Sequence, residues 1–232
     1  MYVLHYAPDN ASLIIRLALE HRALPYRTQL VDRATQQQRS AAYLRINPNG
    51  LIPALETPQG VIFETGAILL WLADRHANLA PSPTDEARGD FLKWFFFTAN
   101  TVHPALRMLF YPQAFVGSDP NAQAALRSKM QQDLTRCLRQ LDEIARSEPG
   151  WFGGASVGSL DFYVGAILRW CALYPTDQAR DWFNLSDYPA LSELCKTLDD
   201  LPCTSALQAA EGMADNPFSD PSYPSPPEGS AT

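Results

Sequence analysis

Asn47-Pro48-Asn49-Gly50-Leu51-Ile52-Pro53-Ala54-Leu55 and, after Glu56 to Ile62, Phe63-Glu64-Thr65-Gly66-Ala67-Ile68-Leu69-Leu70-Trp71-Leu72-Ala73-Asp74-Arg75 decide how this chain folds. Ile52 to Leu55 and Val61 to Phe63 are short apolar runs on either side of Pro58-Gln59-Gly60, the pattern of a β-hairpin. From Thr65 to His76 apolar residues lie on nearly every face, so this segment is expected to be a buried helix. Glu64 and Thr65 fall where the strand ends and the helix begins. Backbone N–H groups without partners, and the positive end of the helix dipole, collect at such a junction and suit a carboxylate. The same two residues would equally serve as helix caps.

Upstream, Tyr2 to Tyr6 is a short apolar strand that Pro8-Asp9-Asn10 ends with turn chemistry. Ser12 then precedes Leu13, Ile14, Leu17, Ala18 and Leu24, an amphipathic helical pattern closed by Pro25. Tyr26 to Val31 reads as a second strand, and the Gln-rich segment Thr35 to Leu44 as a surface helix. The order β-α-β-α-β-β-α, with a proline opening the third strand, is that of a thioredoxin-like domain over residues 1–78. Ala80-Pro81-Ser82-Pro83-Thr84 cannot be helical, which places a linker at 79–86.

Beyond it, apolar residues recur at helical spacing. Phe91, Phe95, Ala99, Val102, Leu106 and Leu109 form one stripe; Leu126, Met130, Leu134, Cys137, Leu141 and Ile144 form another. Leu160, Val164, Ile167, Leu168 and Cys171 form a third, and Leu191, Leu194, Cys195 and Leu198 a shorter fourth. Residues 87–212 therefore read as an all-α bundle. The stretch 213–232 is rich in Pro and Ser, cannot order itself independently, and is expected to be mobile or draped over the surface.

Composition narrows the function classes. With 25 acidic and 18 basic residues the net charge is −7, and the basic residues are scattered, which argues against a nucleic-acid partner. No run of 18 apolar residues is present, so no membrane span is expected. The first residues lack the pattern of a signal peptide. Cys137, Cys171, Cys195 and Cys203 have neither metal-ligand nor redox-motif spacing and are expected to be buried, reduced thiols in a cytoplasmic protein, with no metal site.

The spacing of Asn47-Pro48, Ile52-Pro53 and Glu64-Thr65, with the helix that follows, resembles the glutathione S-transferase superfamily, and the likeness extends over residues 1 to about 212. It implies a cis bond before Pro53, with the Ile52 backbone pairing with the cysteinyl part of glutathione like an added strand rung. It implies that Thr65 receives the γ-glutamyl carboxylate and Glu64 the γ-glutamyl ammonium. Many relatives carry Gln or Lys at the position of Leu51, reaching the glycyl carboxylate; Leu lacks that chemistry, and Arg39 is the replacement candidate.

The turn Tyr6-Ala7-Pro8-Asp9-Asn10-Ala11-Ser12-Leu13 is most similar to the bacterial beta-class turn Pro-Gly-Ala-Cys-Ser-Leu. The active-site Cys of that pattern falls on Ala11, so covalent mixed-disulfide chemistry is lost. A hydroxyl or amide donor holding the glutathione sulfur would lower its pKa from about 8.5 by roughly two units. Ser12 is the first candidate, Asn10 the second, and Tyr6, which is also counted with the pocket, a more distant third. Asn10 and Ser12 are also candidates for the helix N-cap. Asp9 would repel a thiolate.

In the helical region Phe96, Asn100, His103, Arg107 and Tyr111 share one face at three- and four-residue spacing. By resemblance this face lines the cleft, with His103 matching a cleft His of beta-class relatives. Phe110 and Phe115 lie nearby. The resemblance implies a glutathione transferase that activates the co-substrate thiol against a small apolar electrophile, as in detoxification, within a homodimer. The competing readings are a non-catalytic glutathione-binding or protein-interaction member, and a glutathione-dependent reductase or dehalogenase.

Overall fold

The computed structural model of the chain describes residues 1–231. Residues 2–75 form a four-stranded mixed sheet with helices: β1 (Tyr2–Tyr6), α1 (Ser12–His21), β2 (Tyr26–Leu30), α2 (Ala41–Leu44), β3 (Ala54–Thr57), β4 (Gly60–Phe63) and α3 (Thr65–Arg75). The strand order is β2-β1-β3-β4. β1 runs parallel to β2, with Tyr2 opposite Tyr26, and antiparallel to β3, with Leu4 opposite Leu55. As a central strand β1 is covered on both faces, which is why its apolar run is nearly continuous. This is the thioredoxin-like arrangement expected.

Two local readings change. The Gln-rich segment is not one helix. A 3₁₀ turn at Gln37–Arg39 is separated from α2 by Ser40, whose extended backbone (ψ 150°) and Oγ, accepting from the Tyr43 N–H, start a new element. Nor is α3 buried all round: Thr65, Ile68, Leu69 and Leu72 are buried, while Leu70 faces a cleft and Trp71 lies under the Arg75 guanidinium.

The remainder is helical: α4 (Arg88–Phe97), α5 (His103–Phe110), α6 (Gln113–Val116), α7 (Pro120–Arg146), α8 (Ser159–Leu173), α9 (Pro189–Asp199) and α10 (Pro202–Glu211). The first stripe does not belong to one continuous helix, because Thr98–Val102 is a π-helical segment between α4 and α5. Pro104 has no N–H for the Asn100 carbonyl and its ring displaces that group, a sufficient local cause for the widened turn. α8 runs through the middle, with only Ala172 incompletely buried. Its N-terminus is held by Asp161, whose carboxylate accepts the Gly153 and Gly158 N–H groups, each at 2.8 Å. Gly158 is required there: a Cβ would lie 2.8 Å from the Leu79 carbonyl oxygen, which also accepts the Ser159 N–H.

Residues 213–231 are tied down. Gly212 ends α10 at φ 65°, and a Cβ on it would collide with the Ser225 carbonyl returning alongside. Phe218 is buried, the Phe218 and Ser219 N–H groups donate to Asp199, and the Tyr223 hydroxyl donates to the Leu173 carbonyl. The segment reaches back to the sheet, where Gly229 packs on Leu30 and Pro8 and Glu228 accepts the Tyr6 hydroxyl.

Candidate active site

A cleft of about 750 Å³ lies between the sheet unit and the helices, and most of the residues singled out above line it. Its lower wall begins at the loop before β3. Asn47 is buried; its amide and the Tyr43 hydroxyl both donate to the Leu51 carbonyl at 2.8 Å, fixing the loop so that Ile52 and Pro53 face the cleft. The Ile52–Pro53 bond is cis. Among the described residues the Ile52 N–H and C=O have no hydrogen-bond partner, leaving an open strand edge.

Glu64 joins β4 to α3 with φ 72°, a conformation that costs a non-glycine residue of order 1 kcal/mol and persists where the surroundings enforce it. Neither Glu64 nor Thr65 hydrogen-bonds the first turn of α3 with its side chain. The helix N-terminus therefore opens uncapped beside both side chains, an anion-binding arrangement. Arg39 lines the same wall, its guanidinium donating to the Asn49 carbonyl at 3.3 Å.

The turn after β1 sorts its candidates. Ser12 does not line the cleft: it is fully buried, and its hydroxyl donates to the Ala7 carbonyl and accepts the Ala7 N–H, closing the turn on itself. Tyr6 also stays outside; its hydroxyl donates to Glu228, and burial followed by that carboxylate pushes its pKa upward. Asn10 and Ala11 do line the cleft, and the Asn10 side-chain oxygen is buried with no partner. No side chain caps α1; the Leu13 N–H bonds to the Asn10 backbone carbonyl.

Asp9 is the residue whose role sequence reasoning missed. Its carboxylate accepts Arg169 Nε and Nη2, both at 2.9 Å, Trp170 Nε1 at 3.0 Å and the Tyr174 hydroxyl at 2.7 Å. Arg169 is completely buried and gives two further donors to the carbonyls of Pro217 and Ser222. The Asp9 N–H goes to Glu211, which pairs with Arg16. A buried ion pair with its hydrogen bonds filled pins the turn from below. The one available signal was an arginine in the apolar run 160–173, which needs a buried acid.

The opposite wall is helical. Phe96, Asn100, His103, Arg107 and Tyr111 all line the cleft, with Phe110 and Phe115. His103 Nδ1 lies 2.8 Å from the Tyr163 hydroxyl, and its ring packs against Trp170. Burial, then the Arg107 guanidinium, lower the His103 pKa to about 4, so the imidazole is uncharged near neutrality and works by hydrogen bonding rather than charge. Arg33, also missed in the sequence, crosses the cleft to donate to the Tyr111 hydroxyl at 3.2 Å. Among the described residues no cluster of His, Cys, Asp and Glu fits a metal ion.

Comparison with known proteins bears on this geometry. Residues 11–75, which hold both halves of the lower wall, match the family model described as glutathione S-transferase, N-terminal domain. Glutathione S-transferase GST-4.5 of Xanthomonas campestris pv. campestris is 29% identical over 215 residues, 90% of this chain and 98% of that one. Over most of its length the chain is similar to glutathione S-transferases. Another relative, the disulfide-bond oxidoreductase YfcG of Escherichia coli, is 28% identical over 88% of this chain and 93% of its own. A sphingomonad glutathione S-transferase solved in complex with glutathione superposes with a TM-score of 0.73 at 27% identity, covering 91% of this chain and all of that one. No helix of the described residues is long and apolar enough to cross a membrane.

Proposed function

We propose that this chain is a glutathione transferase that binds glutathione along the lower wall and activates its thiol for attack on an electrophile held against the helical wall. The observation that carries the reading is the open Ile52 edge facing the same cleft as the uncapped start of α3. The edge matches the cysteinyl backbone, Thr65 and the helix N-terminus the γ-glutamyl carboxylate, and Glu64 the ammonium. Arg39, beside Asn49, takes the glycyl carboxylate in place of Leu51.

Asn10 is the group proposed to hold the sulfur. Of the three candidates in the first turn it alone lines the cleft. Asp9 sits below it, but its charge is paired with Arg169. Activation then rests on amide and backbone N–H donors and on proximity within the cleft. Titration of glutathione bound to the chain tests this: the thiol pKa falls by one to two units from about 8.5, and Asn10→Ala removes most of that fall. A bound thiol that titrates like the free one sinks catalysis and leaves a glutathione-binding protein.

A second reading, a glutathione-dependent reductase, draws on the relative named as a disulfide-bond oxidoreductase. The chain's own thiols do not favour it, since all four cysteines are buried. Turnover of a glutathione mixed disulfide faster than of an aromatic electrophile would decide for it. The likeness to glutathione S-transferases supports a homodimer in the cytoplasm; sedimentation of the purified chain tests the dimer.

A further inference from the structure

Glutathione carries one ammonium and two carboxylates, and the reading above gives each of them a partner. Two cleft arginines are left over. Arg33 and Arg107 both line the cleft, and among the described residues neither pairs with an acidic side chain. Arg39 lies against Asn49 and Gly50, beside the Ile52 edge, whereas Arg33 is tied to Tyr111 on the helical side. Arg107 stands one turn before Tyr111, whose N–H bonds to the Arg107 carbonyl at 2.9 Å. The second Arg33 amino group, Nη1, is buried with no partner.

A wholly apolar occupant would leave the Arg33 guanidinium in the cleft without a charge partner. An anionic group would satisfy it with a charge-assisted hydrogen bond, and a guanidinium fork suits a flat carboxylate or a sulfonate. The positive pair is not a by-product of overall composition, because the chain as a whole carries −7. Phe96, Phe110 and Phe115 supply apolar, aromatic surface in the same cleft.

We propose that Arg33, Tyr111 and Arg107 form an anion subsite on the helical wall, and that the second substrate is an aromatic electrophile bearing a carboxylate or sulfonate. This inference rests on the transferase reading and narrows its substrate class. With a chloronitrobenzoate as the electrophile, the thiolate forms a C–S bond at the ring carbon bearing chlorine. The C–Cl bond breaks and chloride leaves with the bonding pair, so nothing is oxidised or reduced.

Binding of preformed conjugates tests the subsite without requiring turnover. S-(4-carboxy-2-nitrophenyl)glutathione and its carboxamide counterpart have nearly the same size and differ by one charge. By calorimetry on the full chain at low salt, the carboxylate conjugate binds about ten-fold more tightly than the amide, and added salt narrows the ratio. In Arg33→Gln and Arg107→Gln the ratio falls toward about two-fold or less. Equal affinity of the wild-type chain for both conjugates overturns the proposal and leaves the glutathione reading standing. It is also overturned if either variant weakens both conjugates and free glutathione in parallel, which would place the arginines on glutathione itself. If neither conjugate nor glutathione binds, the underlying reading fails as well. Should a variant not fold, the wild-type ratio and its salt dependence decide.

Discussion

At the scale of single residues, the cleft is recognisable by groups left incomplete: an unpaired Ile52 backbone, an uncapped α3 and an orphaned Asn10 oxygen. Thr65→Ala removes one proposed donor to a carboxylate, and the glutathione dissociation constant is expected to rise about ten-fold, near 1.4 kcal/mol. Equilibrium titration checks this, and an unchanged constant moves the carboxylate elsewhere. His103 has its folded-state pKa lowered to about 4 from the usual 6.5. Its contribution to stability is therefore present above pH 6.5 and lost as pH falls through 4. Nitrogen-15 NMR should show the ring neutral at pH 5.5, and an imidazolium signal at that pH would contradict the packing described. The cis Ile52–Pro53 bond and the Glu64–Thr65 junction at the start of α3 were legible in the sequence because they depend on local spacing. Asp9, Arg33 and Arg169 were not, because the side chains they pair with lie 78 to 165 residues away.

Among elements, the junctions matter more than the interiors. The hairpin, α3 and the helical stripes follow from local periodicity, and the structure keeps them. The π-helical turn at Thr98–Val102 did not show, because hydrophobic spacing of three and four tolerates one widened turn. The Gln-rich segment was misread because its first half, Thr35 to Ser40, is polar and carries no periodic signal, and Ser40 breaks the segment with a side-chain cap. Where α8 starts, Gly158 lets the helix approach the Leu79 carbonyl. Gly158→Ala is expected to lower unfolding stability by about 1–3 kcal/mol through overpacking. Gly89→Ala, at a helical position with open space around it, should be neutral or stabilising by up to about 1 kcal/mol. Denaturant melts of the pair check both, and equal effects would sink the steric argument.

Across the whole molecule, residues 213–231 complete a buried system that links the turn after β1, α8 and the end of α10. Composition alone marked this segment as unable to order independently, and it orders on the rest of the chain. Removing it would uncover the Phe218 site and leave Arg169 short of two acceptors. The expected loss is about 3 kcal/mol, or roughly 6–12 °C in melting temperature for a chain of this size. Arg169→Met, which strands Asp9 without its charge partner, should cost about 3–5 kcal/mol. Scanning calorimetry on both variants checks this, and a truncated chain that melts like the intact one refutes the role.

A transferase of the kind proposed, which would gather electrophiles, also exposes itself to them. Cys137, Cys171, Cys195 and Cys203 are all buried, and burial raises the pKa of each thiol, that of Cys203 to about 11. The folded chain therefore presents almost no protein thiolate to compete with glutathione for the reagent. Incubated with iodoacetamide and weighed by mass spectrometry, the native chain should carry no cysteine adduct, and the unfolded chain four. Adducts on the native chain would show that it consumes its own substrates, whereas their absence means self-protection comes from packing alone.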